Sequence, residues 1–204
     1  CSARKTFFAV SMLPGLMLMP FAAQAIEVNG IVKLGMDFGG DRMVKAYTTN
    51  DYSLEINGND GLLLAGGVSI TNDARNFALD ATLGWKSASI DASNQDYEFT
   101  RYPLDVLAFY NIPLGKKNKF NLRIGGGLTY VRNPKFSASG SIDNFVVNFE
   151  NATGVVGQVD TVIKFNRRLG INASLRLTGV EYRVKGVTGS INGNGAGLFV
   201  AFVF

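Results

Sequence analysis

From residue 26 onward, apolar and polar residues alternate with a period of two in blocks of about ten, and Gly, Asn, Asp or Pro separates the blocks. Period two belongs to strands with unlike faces, because successive side chains of a strand point to opposite sides. The clearest block sets Phe77, Leu79, Ala81, Leu83 and Trp85 against Asp80, Thr82, Gly84 and Lys86. Before it, Val32, Leu34, Met36 and Phe38 oppose Lys33, Gly35 and Asp37, and a second block runs from Gly61 to Ile70. After it, Tyr102, Leu104, Val106, Ala108 and Tyr110 oppose Arg101, Asp105 and Asn111. Phe120, Leu122, Ile124, Leu128 and Tyr130 then oppose Asn121, Arg123, Gly125, Gly127 and Thr129. Val155, Val159, Ile163 and Phe165 face away from Gln158, Asp160 and Lys164. A seventh block carries Leu169, Ile171, Ala173, Leu175 and Leu177 against Asn172, Ser174 and Arg176 and continues to Tyr182. The eighth ends on Leu198, Val200, Phe202 and Phe204. The pattern predicts an all-β domain of about eight antiparallel strands in up-and-down order.

The connections alternate in length. Long ones are expected around 40–59, 87–99, 133–152 and 186–195; short ones at 71–75, 113–118 and Asn166-Arg167-Arg168. Short turns at one end and long loops at the other suit a transmembrane barrel. The loop from Ser137 to Asn151 carries Phe145, Val146, Val147 and Phe149. It is expected either to prolong the barrel wall as a hairpin or to offer a hydrophobic edge for strand addition.

Residues 1–25 break the pattern. Arg4 and Lys5 precede an apolar run from Phe7 to Met19, Pro20 interrupts it, and Ala23-Gln24-Ala25 supplies small residues. This is the layout of a cleavable secretory signal, with cleavage expected after Ala25. The apolar run is shorter than the roughly 18 to 20 residues that a helical span requires. Residues 26–204 form the expected barrel domain. It lacks thiols, since Cys1 is the only cysteine, so ladder hydrogen bonds and packing must hold it together. Its basic residues are spread singly or in turn pairs such as Lys116-Lys117, and no nucleic-acid partner is expected.

Alternation alone leaves open a soluble barrel with an apolar interior. Aromatics favour the membrane alternative. Phe77 with Trp85, Tyr102 with Tyr110, and Phe120 with Tyr130 lie eight to ten residues apart on apolar faces. On tilted strands this places two rings of aromatics roughly 20 to 26 Å apart along the membrane normal, as two interfacial girdles would be. The polar face is rich in glycine (Gly35, Gly84, Gly125, Gly127, Gly170), as a narrow, crowded lumen demands, and its charges are of both signs.

In this layout and in the closing Val-Ala-Phe-Val-Phe, the chain resembles the small eight-stranded outer-membrane barrels, such as the OmpA transmembrane domain and OmpX. The resemblance implies a multi-pass protein of a Gram-negative-type outer membrane with both mature termini in the periplasm. It also implies that Val200, Phe202 and Phe204 are a signal for the barrel-assembly machinery. A monomer is expected, with outer-membrane lipid as its surroundings and an extracellular ligand engaged by the long loops. OmpA-like proteins carry a peptidoglycan-binding domain after the barrel; no tether by that route is expected here. Barrel enzymes of this membrane rely on histidine as general base, and the sequence has none, so no catalytic role is expected. No cofactor or metal is expected either: histidine is missing, and the loop carboxylates Asp51, Glu55 and Asp60 lack an EF-hand spacing.

The candidate site is the set of charges assigned to the lumen: Lys33, Asp37, Asp80, Lys86, Arg101, Asp105, Arg123, Asp160, Lys164, Arg176, Glu181 and Arg183. Charges inside a barrel need partners. They form either a plug of ion pairs and hydrogen bonds, which leaves a structural or surface-interaction role, or a narrow porin-like conduit for ions or small solutes.

Overall fold

The computed structural model describes residues 26–47, 53–72, 76–92, 95–114, 119–141, 144–166, 169–186 and 188–204. The signal segment 1–25 and the turn charges Lys116, Lys117, Arg167 and Arg168 lie outside them, as does Asp51. The strands are β1 (Ile26–Phe38), β2 (Arg42–Tyr47), β3 (Ser53–Asn57), β4 (Gly61–Asn72), β5 (Phe77–Ala92), β6 (Gln95–Leu114) and β7 (Phe120–Gly140). They continue with β8 (Phe145–Asn148), β9 (Ala152–Lys164), β10 (Gly170–Gly179), β11 (Glu181–Arg183), β12 (Ser190–Asn192) and β13 (Gly195–Val203).

Eight of these, β1, β4, β5, β6, β7, β9, β10 and β13, pair antiparallel with their neighbours, and β13 returns to β1, closing an eight-stranded barrel. Closure leaves these strands without free edges. The last residue completes the seam: Gly30 N–H donates to the Phe204 carbonyl at 2.6 Å, and Phe204 N–H to the Gly30 carbonyl at 2.9 Å. Both the seam and the short connections β4–β5, β6–β7 and β9–β10 lie at one end, the turn end. At the opposite, hairpin end, the wall continues past the ring.

This continuation corrects the expected loops. Segment 87–99 is almost wholly strand: β5 runs to Ala92, and β6 begins at Gln95 with Ala92 opposite Gln95. The 40–59 connection contains the β2–β3 hairpin, and Ser190–Asn192 pairs with β11. Segment 133–152 prolongs the wall as a hairpin, with β8 pairing β7 from Phe145↔Ala138 to Asn148↔Lys135. Of the apolar residues that the strand-addition alternative would put on an exposed edge, Phe149 is buried and bridges to Val184, whereas Phe145 and Val146 are exposed.

The physical reason is an inversion of polarity within single strands. In the ring, apolar residues such as Leu83, Leu104 and Leu128 face outward and polar ones inward. Past Trp85 and Tyr102 the same parity brings Ile90 and Phe99 inside and puts Ser89, Asp91, Asp96 and Glu98 outside. On β7 a bulge at Asn133 (φ 45°), opposite a register shift between Thr100 and Tyr102, exchanges the faces and brings Phe136 and Ala138 inside. An apolar core results at the hairpin end, built from Ile56, Ile90, Phe99, Val131, Phe136, Phe149, Val180 and Tyr182. Phe99 anchors it, with ring centroids 5.6 Å from both Phe149 and Tyr182.

Candidate functional site: the barrel interior

Alternation within each ring strand delivers five cations (Lys33, Lys86, Arg101, Arg123, Arg176) and four carboxylates (Asp37, Asp80, Asp105, Asp160) to the interior, all buried. Arg176 holds Asp105 with two parallel N–H···O bonds of 2.7 and 3.2 Å, the fork geometry that makes guanidinium–carboxylate pairs strong, while its Nε donates to Thr178. Arg123 donates to Asp80 at 2.6 Å, and its Nε lies 3.6 Å from Asp160. The Ser69 hydroxyl donates to the second oxygen of Asp80. Lys33 donates to the Gln158 carbonyl oxygen, and the Gln158 amide donates to Asp160 at 2.7 Å, so a neutral residue relays between a cation and a carboxylate.

Nearer the hairpin end, Lys86 donates to Asp37 at 2.6 Å and to Asn59 at 3.0 Å. Arg101, fully buried, donates to the backbone carbonyls of Gly58 and Asp60, and its guanidinium stacks 4.0 Å from the Phe99 centroid. The β3–β4 turn is thus inserted into the lumen. Asp60, expected as a solvated loop charge, instead accepts from Gly39 N–H, Asn57 N–H and the Asn57 amide, at 2.9 Å each. Sequence periodicity missed Asn59 and Asp60 because a turn has none; the flanking Gly58 and Gly61, the latter at positive φ, are the local signal of that turn, and Gly39 and Gly40, also at positive φ, adjoin it.

Two residues assigned to this network do not belong to it. Glu181 and Arg183 are exposed, their side chains 3.8 Å apart at 58% and 69% exposure. Arg176 itself sets the parity: Thr178, Val180 and Tyr182 follow it inward, so the odd-numbered residues Glu181 and Arg183 point outward. Lys164 is half-buried at the mouth of the turn end.

Lumen glycines answer lumen aromatics. A Cβ on Gly35 would stand 2.2 Å from the Phe199 ring, and one on Gly125 would stand 2.5 Å from Phe109. Both rings lie under guanidinium groups, Arg123 at 4.0 Å from Phe109 and Arg176 at 5.8 Å from Phe199. Among the described residues, the interior holds two separate spaces. A polar opening of about 60 Å³ at the turn end, lined by Asn29, Thr71, Asn121 and Arg123, stops at the ion pairs. Beyond them, the cavity between Lys86, Arg101 and Tyr182 is about 10 Å³, the lower limit for one water.

On the outer face, Phe77, Tyr110 and Phe120 stand near the turn end and Trp85, Tyr102 and Tyr130 near the hairpin end, all exposed. Phe77 and Tyr110 meet edge to face at 5.3 Å. Val200, Phe202 and Phe204 are exposed along and just beyond β13.

A closed ring of eight antiparallel strands, polar within and apolar without, with short turns at one end, is the fold of the small outer-membrane β-barrels. Neisserial surface protein A (NspA) has this fold: its crystal structure matches with a TM-score of 0.55 at 10% identity, over 88% of this chain and 97% of that one. Ail, the attachment invasion locus protein of Yersinia pestis, matches at 0.49 with 9% identity, over 89% and 100%. The N-terminal β-barrel domain of Pseudomonas aeruginosa OprF matches at 0.40 with 14% identity, over 86% and 98%. No family model and no curated protein matches the sequence.

Proposed function

We propose that this protein is a non-enzymatic, integral outer-membrane barrel of a Gram-negative-type envelope, sealed to solutes, with a structural or surface-interaction role. The observation that carries the membrane reading is the polarity inversion along β5 and β6: both are apolar outside up to Trp85 and Tyr102 and polar outside beyond them, although Phe145 and Val146 stay exposed on neighbouring β8. A single strand changes its outer chemistry in this way where its surroundings change from hydrocarbon to water, and interfacial aromatics mark the boundary. On this reading residues 1–25 direct export and are removed, and Val200, Phe202 and Phe204 are read by the assembly machinery. The turn end, with both mature termini, faces the periplasm, and the hairpin end faces outward.

The paired interior supports the seal. A conduit would require Asp105–Arg176 and Arg123–Asp80 to separate in a low-dielectric lumen, and the apolar core at the hairpin end would still close the exit. The test is single-channel recording of the refolded mature protein and of Arg123→Ala in planar bilayers. Both are expected to insert and to stay electrically silent. Discrete openings whose ion selectivity changes with Arg123→Ala would overturn the seal in favour of the porin-like alternative.

A further inference from the structure

We infer that the outer wall at the hairpin end carries a binding site for a phosphate-bearing lipid headgroup, resting on the membrane reading above. Lys135 on β7 pairs across the strands with Asn148 on β8, and Lys185 N–H donates to the Asn148 carbonyl at 3.1 Å. Lys135, Asn148 and Lys185 therefore form one row on three adjacent chain segments, and all three are exposed. At the usual strand spacing the two lysine backbones stand roughly 10 Å apart, within reach of a single phosphate for two long, flexible side chains.

The Asn133 bulge enlarges the cluster. It brings Lys135 onto the outer wall that Arg132 already occupies in line with Leu128 and Tyr130, and Asn151 holds the bulge by accepting from Asn133 N–H at 3.0 Å while donating to the Tyr130 hydroxyl at 3.0 Å. The row borders a crevice of about 410 Å³ whose lining includes Trp85 and Tyr102, so the cations stand just above the aromatics that mark the lipid boundary. Phosphates of the outer leaflet lie at this height, with acyl chains running down over Leu83 and Leu104.

Charge favours an anion. Every interior guanidinium and ammonium has a hydrogen-bond acceptor, but Arg132, Lys135 and Lys185 have no side-chain partner among the described residues. Glu98 is the carboxylate in the crevice, and the hydroxyls of Ser87 and Thr100 each donate to it at 2.9 Å. Glu150 lies outside the crevice lining and is joined to Arg183 only through its backbone N–H, while the Arg183 side chain lies 3.8 Å from Glu181. The lining itself keeps two cations against one carboxylate.

The experiment is native mass spectrometry of the mature protein released from micelles doped with phosphatidic acid or with phosphatidylcholine, with and without inorganic phosphate. The heat-dependent gel shift of each sample reports barrel folding separately. Wild type is expected to retain phosphatidic acid over phosphatidylcholine. The Lys135→Ala/Lys185→Ala variant should lose about tenfold in apparent affinity, two charge-assisted contacts being removed. Lys135→Arg/Lys185→Arg should keep the affinity, as should Lys119→Ala at the turn end, and Glu98→Gln should raise it.

Equal retention by the double alanine variant, or no rise with Glu98→Gln, would overturn the site. If the double variant lost its gel shift, Glu98→Gln alone would decide. Displacement of the lipid by an equal concentration of inorganic phosphate would point to a free-anion site and overturn the lipid assignment. A folded wild type that retains no phosphatidic acid sinks this site alone, whereas conductance sinks only the seal.

Discussion

Asp105 and Arg176 show what a single residue contributes inside this barrel. Their fork of two hydrogen bonds leaves neither charge exposed, so removing one partner strands the other in a medium that solvates it poorly. Asp105→Ala is expected to lower the unfolding free energy by about 3 to 5 kcal/mol, the usual cost of leaving a buried charge alone. Arg42→Ala, which removes a half-exposed pair with Glu55 at 3.3 Å, should change it by about 1 kcal/mol or less. Urea unfolding of the two variants in the same detergent, followed by the gel shift, makes the comparison. Equal midpoints would show that the lumen is solvated well enough to screen its charges. Chain position says nothing of such pairs: Asp105 and Arg176 are 71 residues apart, and sequence can mark each as facing inward but not which carboxylate meets which cation.

At the scale of elements, legibility followed contrast. The eight ring strands could be read because an exposed apolar outer face and ion pairs inside demand opposite chemistries, so each block alternates sharply. Their extensions could not. Ser87 to Ala92 and Asp96 to Phe99 alternate as well, but with the polar residues on the outer face, and they resemble a loop unless the change of surroundings is known. Glu181 and Arg183 depart from expectation for a related reason: their charge suggests the lumen, but their parity, opposite to that of Arg176 and Tyr182, puts them outside. The inserted β3–β4 turn has no period at all, and its role depends on Arg101 some 41 residues beyond Asp60.

The extension makes its own prediction. Phe99 is wholly buried there, against Phe149, Tyr182 and the Arg101 guanidinium, and Phe99→Ala should cost about 3 to 5 kcal/mol. Because the apolar core serves the hairpin end and ladder bonds serve the ring, the loss should be local. Trypsin is expected to cleave the variant at Arg132, Lys135 or Lys185 much faster than wild type while the gel-shifted ring persists. Loss of the gel shift together with cleavage would instead make ring and extension one cooperative unit.

For the whole molecule, the decisive quantity is the height at which the wall changes character, and the chain carries its own probe of it. Trp85 is the only tryptophan, exposed on the outer face of β5. Below it Leu83 and Ala81 face outward; beyond it come Ser87 and Ser89. An indole has an apolar body and one N–H, and it gains most at the headgroup boundary, where one end is dry and the other wet. If the polarity inversion is the membrane boundary, lipids carrying a quencher near the headgroup should quench Trp85 more strongly than lipids carrying it near the chain end. A water-soluble quencher should reach it only weakly. If the inversion were instead a surface feature of a water-soluble barrel, the aqueous quencher would dominate and the depth series would be flat. Replacing Ala81 and Val106 with lysine sharpens the outcome: this cross-strand pair lies midway between the two sets of aromatics, where a cation facing lipid costs several times what it does at the interface. The doubly substituted protein should therefore fold poorly into bilayers, whereas Ser87→Lys and Ser89→Lys, on the water side, should leave insertion and the Trp85 depth profile unchanged.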